Sequence, residues 1–206
     1  MRTHIFPHTA TTSVAFFRER CNNKFARYSA NFDYILTMHI KGEFTMEIEK
    51  KFLVDISELH LEDYPKKELL QGYILKDPVI RARKENDEYY LTVKGKGLLA
   101  REEINLPLSS EAFDNLIKKT DNAIIEKTRY LIPYTYYSDV QLSERHVTIE
   151  LDVFHGKLSG LIMAEVEFDS TEDAREFVAP SWFIKEVTLD SRYQNANLVG
   201  LNFSEI

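Results

Sequence analysis

Cysteine is nearly absent. Cys21 is the single one in 206 residues, so no intrachain disulfide can form and a cysteine-based zinc-finger ligand set is excluded. Seven glycines and six prolines are too few to mark an interdomain linker, and no internal repeat or low-complexity tract appears. No apolar run approaches the roughly 18 residues that a membrane helix needs. No G-x-x-x-x-G-K-[ST] stretch occurs either, which disfavours a P-loop nucleotide site. Basic residues are in deficit, 26 Lys and Arg against 33 Asp and Glu, for a net charge of −7. That balance argues against a general nucleic-acid binder, which presents a basic face. An anionic ligand remains compatible with it where metal ions sit between the protein carboxylates and the ligand. The expectation is a reducing, cytoplasmic compartment, one domain with or without an appendage, and no membrane or nucleic-acid partner. Monomer and homodimer stay equally open.

The first 45 residues differ from the rest. Residues 1–46 hold six basic and three acidic side chains, which leaves 20 basic against 30 acidic in residues 47–206. This Arg-, Ser- and Asn-containing opening shows no clear helix or strand period, and it reads either as a targeting peptide or as sequence foreign to the native protein. Lys41-Gly42-Glu43 is encoded as AAR-GGN-GAR, which can contain a purine-rich ribosome-binding sequence at a sensible distance from Met46. The expectation is therefore translation from Met46, with 1–45 an extension that is disordered or not native and 46–206 the folded domain.

From Met46 onward, charged residues recur two apart with apolar residues between them. Glu47, Glu49 and Lys51 alternate with Ile48. Arg81 and Arg83 flank Ala82, and Lys94 follows Thr92 across Val93. Lys127 and Arg129 precede an aromatic run. Glu150 and Asp152 alternate with Ile149, Leu151 and Val153, and Glu165 and Glu167 with Ala164, Val166 and Phe168. A β-strand places i and i+2 on one face, so each segment has a charged face and an apolar face. A single such segment is an ordinary strand with its polar face in water. Six of them, several nearly pure in sign, call for more, because like charges on one face repel. A polyanion offsets that cost for the basic strands, and a metal ion offsets it for the acidic ones.

The fold class expected is α+β: runs of short antiparallel strands point to a sandwich or a barrel, and the charged faces suggest closure into an antiparallel β-barrel of about eight strands with a charged lumen, flanked by helices. The pattern predicts strands over 47–54, 71–76, 79–85, 88–95, 100–107, 126–137, 146–154 and 161–168. Ser109 and Ser110 precede Ala112, Phe113, Leu116 and Ile117 at helical spacing. A second helix is expected from Ser170 or Thr171 toward the stop at Pro180, and a third near Asp190.

The run Glu47-Ile48-Glu49-Lys50-Lys51 resembles the ExExK motif of the triphosphate tunnel metalloenzymes, the CYTH superfamily. Gln71-Gly72-Tyr73, Arg81-Ala82-Arg83, Leu91-Thr92-Val93-Lys94, Arg101-Glu102-Glu103, Glu126-Lys127-Thr128-Arg129-Tyr130, Glu150-Leu151-Asp152-Val153-Phe154, Glu165-Val166-Glu167-Phe168 and Val187-Thr188-Leu189-Asp190-Ser191-Arg192-Tyr193 resemble its bacterial, inorganic triphosphatase-like branch in the same order. The likeness spans 46–206 and leaves out 1–45. Two departures stand out: Asn105 where the family often has Glu, and Gln194 where it often has Lys.

The resemblance implies an enzyme that hydrolyses a small-molecule triphosphate with Mg²⁺ or Mn²⁺. Inorganic tripolyphosphate is the leading substrate, with nucleoside or thiamine triphosphate as others. It implies metal ligation by Glu47, Glu49, Asp152, Glu165 and Glu167, joined by Glu103 and Glu150, since carboxylates are hard oxygen donors suited to these ions. Lys51, Arg81, Arg83, Lys94, Lys127 and Arg129 would grip phosphate oxygens. Tyr73, which shares a face with Gln71, would act with Lys51 and Arg83 at the reacting phosphate, or else pack the barrel. Two other readings use the same scaffold: an adenylate cyclase, and a non-catalytic binder of polyphosphate or nucleotide. His146, His155, Trp182 and Phe183 read as structural residues, and Cys21 has no counterpart in the family.

Overall fold

A computed structural model describes residues 43–121 and 123–206. The proposed extension up to residue 42, with Cys21, lies outside the described residues. In chain order the elements are β1 (Glu43–Val54), β2 (Lys66–Lys76), β3 (Val79–Glu85), β4 (Glu88–Lys94), β5 (Ala100–Pro107), α1 (Ser110–Ile117), β6 (Ile124–Ser138), β7 (Ser143–Phe154), β8 (Ile162–Glu167), α2 (Thr171–Glu176), β9 (Phe183–Glu186) and α3 (Asn195–Leu198). The strand order is β5-β4-β3-β2-β6-β7-β8-β1-β9, and β5 also pairs with β1. Eight antiparallel strands therefore close on one another, as the alternating pattern predicts.

Closure depends on β1 serving several neighbours. Its first half pairs with β5, from Glu43↔Asn105 to Ile48↔Ala100. Its second half pairs with β8, from Glu49↔Glu167 to Leu53↔Met163. Above β5, the short β9 takes the remaining edge through Phe52↔Glu186 and Val54↔Phe183. The expected strands agree closely with those observed; β9 is the additional one.

Two apolar clusters organise the barrel. Outside it, Ile48, Phe52, Ile149, Leu151, Ala164 and Val166 are covered by Phe168, Ala174, Phe177, Trp182 and Phe183, and Phe183 packs on Phe52 in a tilted pair with ring centroids 4.5 Å apart. Trp182 and Phe183 are thus structural anchors, as expected. The second cluster lies at one end of the lumen. There the inward faces change from charged to apolar along the strands: Lys51 to Leu53, Asp152 to Phe154, Lys127 to Ile125, Glu165 to Met163 and Arg81 to Val79. These apolar residues pack with Val187, Tyr193, Leu198 and Val199 of the C-terminal segment. The charged part of the lumen rests on this plug.

The helices form where capping chemistry favours them. Ser109 accepts from Ala112 N at 3.2 Å to start α1, and Ser170 accepts from Asp173 N at 3.0 Å to start α2. α1 lies against the outer face of β2, where a Cβ on Gly72 would come within 2.4 Å of Ile117 Cδ1. Among the described residues no helix is long and apolar enough to cross a membrane.

Candidate active site

The lumen holds a cavity of about 390 Å³ walled by charged side chains from all eight barrel strands and by Gln194 and Asn195 from the C-terminal segment. Strand register distributes the charges. Four rungs set a cation across from a carboxylate: Glu47↔Arg101, Lys51↔Glu165, Lys94↔Glu103 and Arg129↔Asp152. Two rungs break that rule with carboxylate against carboxylate, Glu49↔Glu167 and Glu150↔Glu165. On β3, both arginines face neutral residues on each side, Tyr73 and Thr92 for Arg81, Gln71 and Tyr90 for Arg83.

The paired charges form buried networks. Lys51 donates to Glu165 and lies 2.9 Å from Glu49. Burial pulls its pKa down, but Glu165 and Glu49 prevail and hold it above the usual lysine value. Arg129 makes two 2.7 Å bonds to Asp152 and one of 2.5 Å to Glu165, and it also pairs with Glu150. Lys127 donates to Asp152. Lys94 pairs with Glu47 and, at 2.5 Å, with Glu103. Asn105 donates to Glu103 at 2.5 Å while accepting from Thr92 at 2.7 Å. The Asn at this position thus braces a carboxylate.

One wall is rich in arginine, with Glu85, 3.6 Å from Arg83, as its nearby carboxylate. Arg81 is buried, and its Nε has no hydrogen-bond partner among the described residues. Gln71, in the amide orientation that satisfies its neighbours, accepts from Arg83 Nε and Nη2 at 3.0 Å each and donates to Tyr73 Oη at 3.3 Å. Burial, and then Arg81 and Arg129, pull the Arg83 pKa down. Burial and Arg81 do the same to Lys94. Burial and Arg129 push Lys127 down to about 8. In each case lost hydration is the larger cause and a neighbouring cation the next, and a bound anion would offset both.

The facing wall gathers three carboxylates, two of them paired with cations: Glu47 with Lys94 and Arg101, and Glu49 with Lys51 and Arg101. Ligand atoms of Glu47, Glu49 and Glu167 all lie within 4.8 Å of one another. Glu167 is exposed as a residue, yet its carboxyl is raised to about 7 by partial loss of hydration and then by Glu150, Glu47 and Glu49. The geometric crowding accounts for that shift better than burial does. Its side chain has no ion-pair or hydrogen-bond partner among the described residues. Three hard oxygen donors converging at this distance fit a divalent cation.

Of the fourteen expected site residues, twelve line this lumen, while Lys127 and Asp152 are buried, outside its lining, and paired with each other. The structure brings Glu47, Glu49 and Glu167 together. It commits Asp152 and Glu165 to Lys51, Lys127 and Arg129, and Glu103 to Lys94. Glu150 lies beside Arg129 on the edge toward Glu167. His146 and His155 hydrogen-bond to Thr135 and Thr128 at 2.9 and 2.8 Å, which fits the structural role expected of them. Sequence reasoning assigned no role to Arg101, which reaches Glu47 at 2.8 Å and Glu49 at 3.1 Å. Its place two residues before Glu103 was the available signal. Gln194 was singled out only as a departure; it accepts from Arg101 Nη1 at 3.4 Å and leaves its buried Nε2 unpartnered.

Against known proteins, the family model described as the CYTH domain matches residues 45–197. The inorganic triphosphatase of Nitrosomonas europaea is 40% identical over 160 residues, covering 74% of this chain and 95% of that one. An inorganic triphosphatase of Acetivibrio thermocellus is 38% identical over 159 residues, covering 74% and 92%. The crystal structure of an inorganic triphosphatase matches with a TM-score of 0.51 and 34% identity, over 75% of this chain and 95% of that one.

Proposed function

This chain belongs to the CYTH-domain family, and from that premise we propose that it is a divalent-metal-dependent triphosphatase acting on inorganic tripolyphosphate. The observation that carries the reading is the separation of charge within one cavity. A basic wall, with Arg81 and Arg83, faces an acidic cluster in which ligand atoms of Glu47, Glu49 and Glu167 converge within 4.8 Å. A magnesium- or manganese-bound triphosphate brings an anion to the first and a cation to the second. The curated triphosphatases that share the sequence over most of its length support the same reaction.

Phosphoryl transfer asks for positioning and charge stabilisation more than for covalent chemistry. Glu47, Glu49 and Glu167 would hold the metal, whose chemistry is to neutralise phosphate charge and make a bound water a stronger nucleophile. Arg81, Arg83, Lys94, Lys127 and Arg129 grip non-bridging oxygens, the guanidinium groups through two parallel bonds where geometry allows. Lys51, held charged by Glu165 and Glu49, serves as a cationic donor and not as a base. Tyr73, fixed through Gln71 beside Arg83, orients the terminal phosphoryl group. The apolar plug behind these residues keeps that end of the lumen from bulk water and so strengthens each electrostatic contact.

The test is phosphate release from tripolyphosphate, ATP and thiamine triphosphate with Mg²⁺ or Mn²⁺. Tripolyphosphate should be cleaved fastest and EDTA should abolish turnover. Equal rates in metal-free buffer would sink the mechanism, and cyclic AMP as the main product from ATP would replace it with a cyclase.

A further inference from the structure

We propose that Arg101 is an internal counter-ion that occupies the carboxylates of the metal site in the empty enzyme and passes to the substrate when metal binds. This rests on the reading of Glu47, Glu49 and Glu167 as metal ligands. Arg101 Nε donates to Glu47 Oε2 at 2.8 Å, and Nη2 donates to Glu49 Oε1 at 3.1 Å. The two groups bridged are two of the three that converge. Both oxygens of Glu47 are then covered, because Lys94 holds Oε1. A divalent cation on those oxygens competes with two protein cations for the same charge, so the more weakly anchored of the two is the one displaced.

Contacts identify Arg101 as the one that leaves. Lys94 has a second anchor outside the triad, Glu103, at 2.5 Å. Every carboxylate that Arg101 pairs with belongs to the triad, and its remaining contact is neutral, Gln194 Oε1 at 3.4 Å. The guanidinium already lines the cavity, so a small swing exposes its donors to a bound phosphate. Metal alone must therefore evict a cation that gains no new partner. Metal with triphosphate evicts one that does. Metal and substrate thus assist each other's binding through one side chain, a reciprocal coupling.

The test is calorimetric titration of Mn²⁺ into the full chain without triphosphate. Arg101→Gln removes the competing charge and should bind Mn²⁺ about tenfold more tightly than wild type, the usual scale of such coupling. Arg101→Lys should fall between the two. Tripolyphosphate in EDTA should bind wild type and Arg101→Gln alike, because Arg101 is then parked on the carboxylates, whereas KM in saturating Mn²⁺ should rise in the variant. Mn²⁺ affinity unchanged or weaker in both variants, with melting temperatures near wild type, would overturn the proposal. Glu167→Gln checks the metal site separately, since Arg101 does not pair with Glu167. Loss of Mn²⁺ binding there supports the triad. Retained binding there with tightening in Arg101→Gln would drop Glu167 from the site and leave the counter-ion role standing on Glu47 and Glu49.

Discussion

Lys127 is fully buried, and its ammonium meets Arg129 as well as Asp152. Burial first and Arg129 second depress its pKa from 10.5 to about 8. For a lysine lowered in the fold, the charged form is the costly one. The cost is complete below pH 8 and fades as pH rises toward 10.5, so this group's share of stability grows with pH across that window. An anion bound among these cations lifts the pKa again. Tripolyphosphate binding between pH 8 and 10.5 should therefore draw protons from solution, measurable by calorimetry in buffers of different ionisation enthalpy; proton release would mean that Lys127 does not face the ligand. Glu165 and Arg83 separate structural from functional charge. Glu165 is 4% exposed and holds Lys51 and Arg129, so Glu165→Gln leaves buried cations uncompensated and should cost about 3–5 kcal/mol, read as a fall in Tm. Arg83→Ala instead relieves crowding by Arg81 and Arg129. Its expected effect is a rise in KM of about tenfold or more without a comparable loss of Tm. The reverse pattern would assign the two residues opposite roles.

Elements carry the local logic of the sequence. Alternation located the eight barrel strands because each has one face toward charge and one toward packing, a difference that a period of two records directly. Capping serines likewise announced α1 and α2. β9 was not legible: Phe183–Glu186 is four residues long, Ile184 is 68% exposed, and the strand exists because the edge of β1 at Phe52–Val54 offers it partners. Gly72 shows a similar dependence on a distant element. Nothing near it in sequence requires glycine, but α1 approaches so closely that any Cβ meets Ile117 Cδ1 and Thr120 Cγ2, at 2.4 and 2.8 Å. Gly72→Ala should cost about 1–3 kcal/mol through overpacking. Chemical denaturation should show it as a lower midpoint with KM little changed, while wild-type stability would mean that α1 shifts freely.

At the scale of the whole domain, the lumen is a set of opposite charges removed from water, and it fails when either sign is removed. Glu103 is held at about 2 by Lys94 and Arg81, against the cost of burial. Its folded pKa lies below the usual 4.5, so its contribution is present above pH 4.5 and is lost as pH falls toward 2. Acid titration followed by circular dichroism should show declining stability in that window, and Glu103→Gln should flatten the decline. An unchanged profile would show that Glu103 is not coupled to the fold. The sequence by itself determined which residues share the inner face of each strand, because that depends only on local backbone geometry. It also carried the ordered motifs that fixed the family resemblance. Which inward carboxylates converge was decided only by tertiary structure. Register sets Glu49 opposite Glu167 but Glu165 opposite Lys51, and Asp152 opposite Arg129. Carboxylates alike in sequence pattern therefore differ in whether they converge with other carboxylates, as Glu49 and Glu167 do, or are spent on buried ion pairs, as Asp152 and Glu165 are. Closure of the barrel through β1 and β5 then placed Arg101 beside Glu47, a contact between residues more than fifty positions apart that no local period can encode.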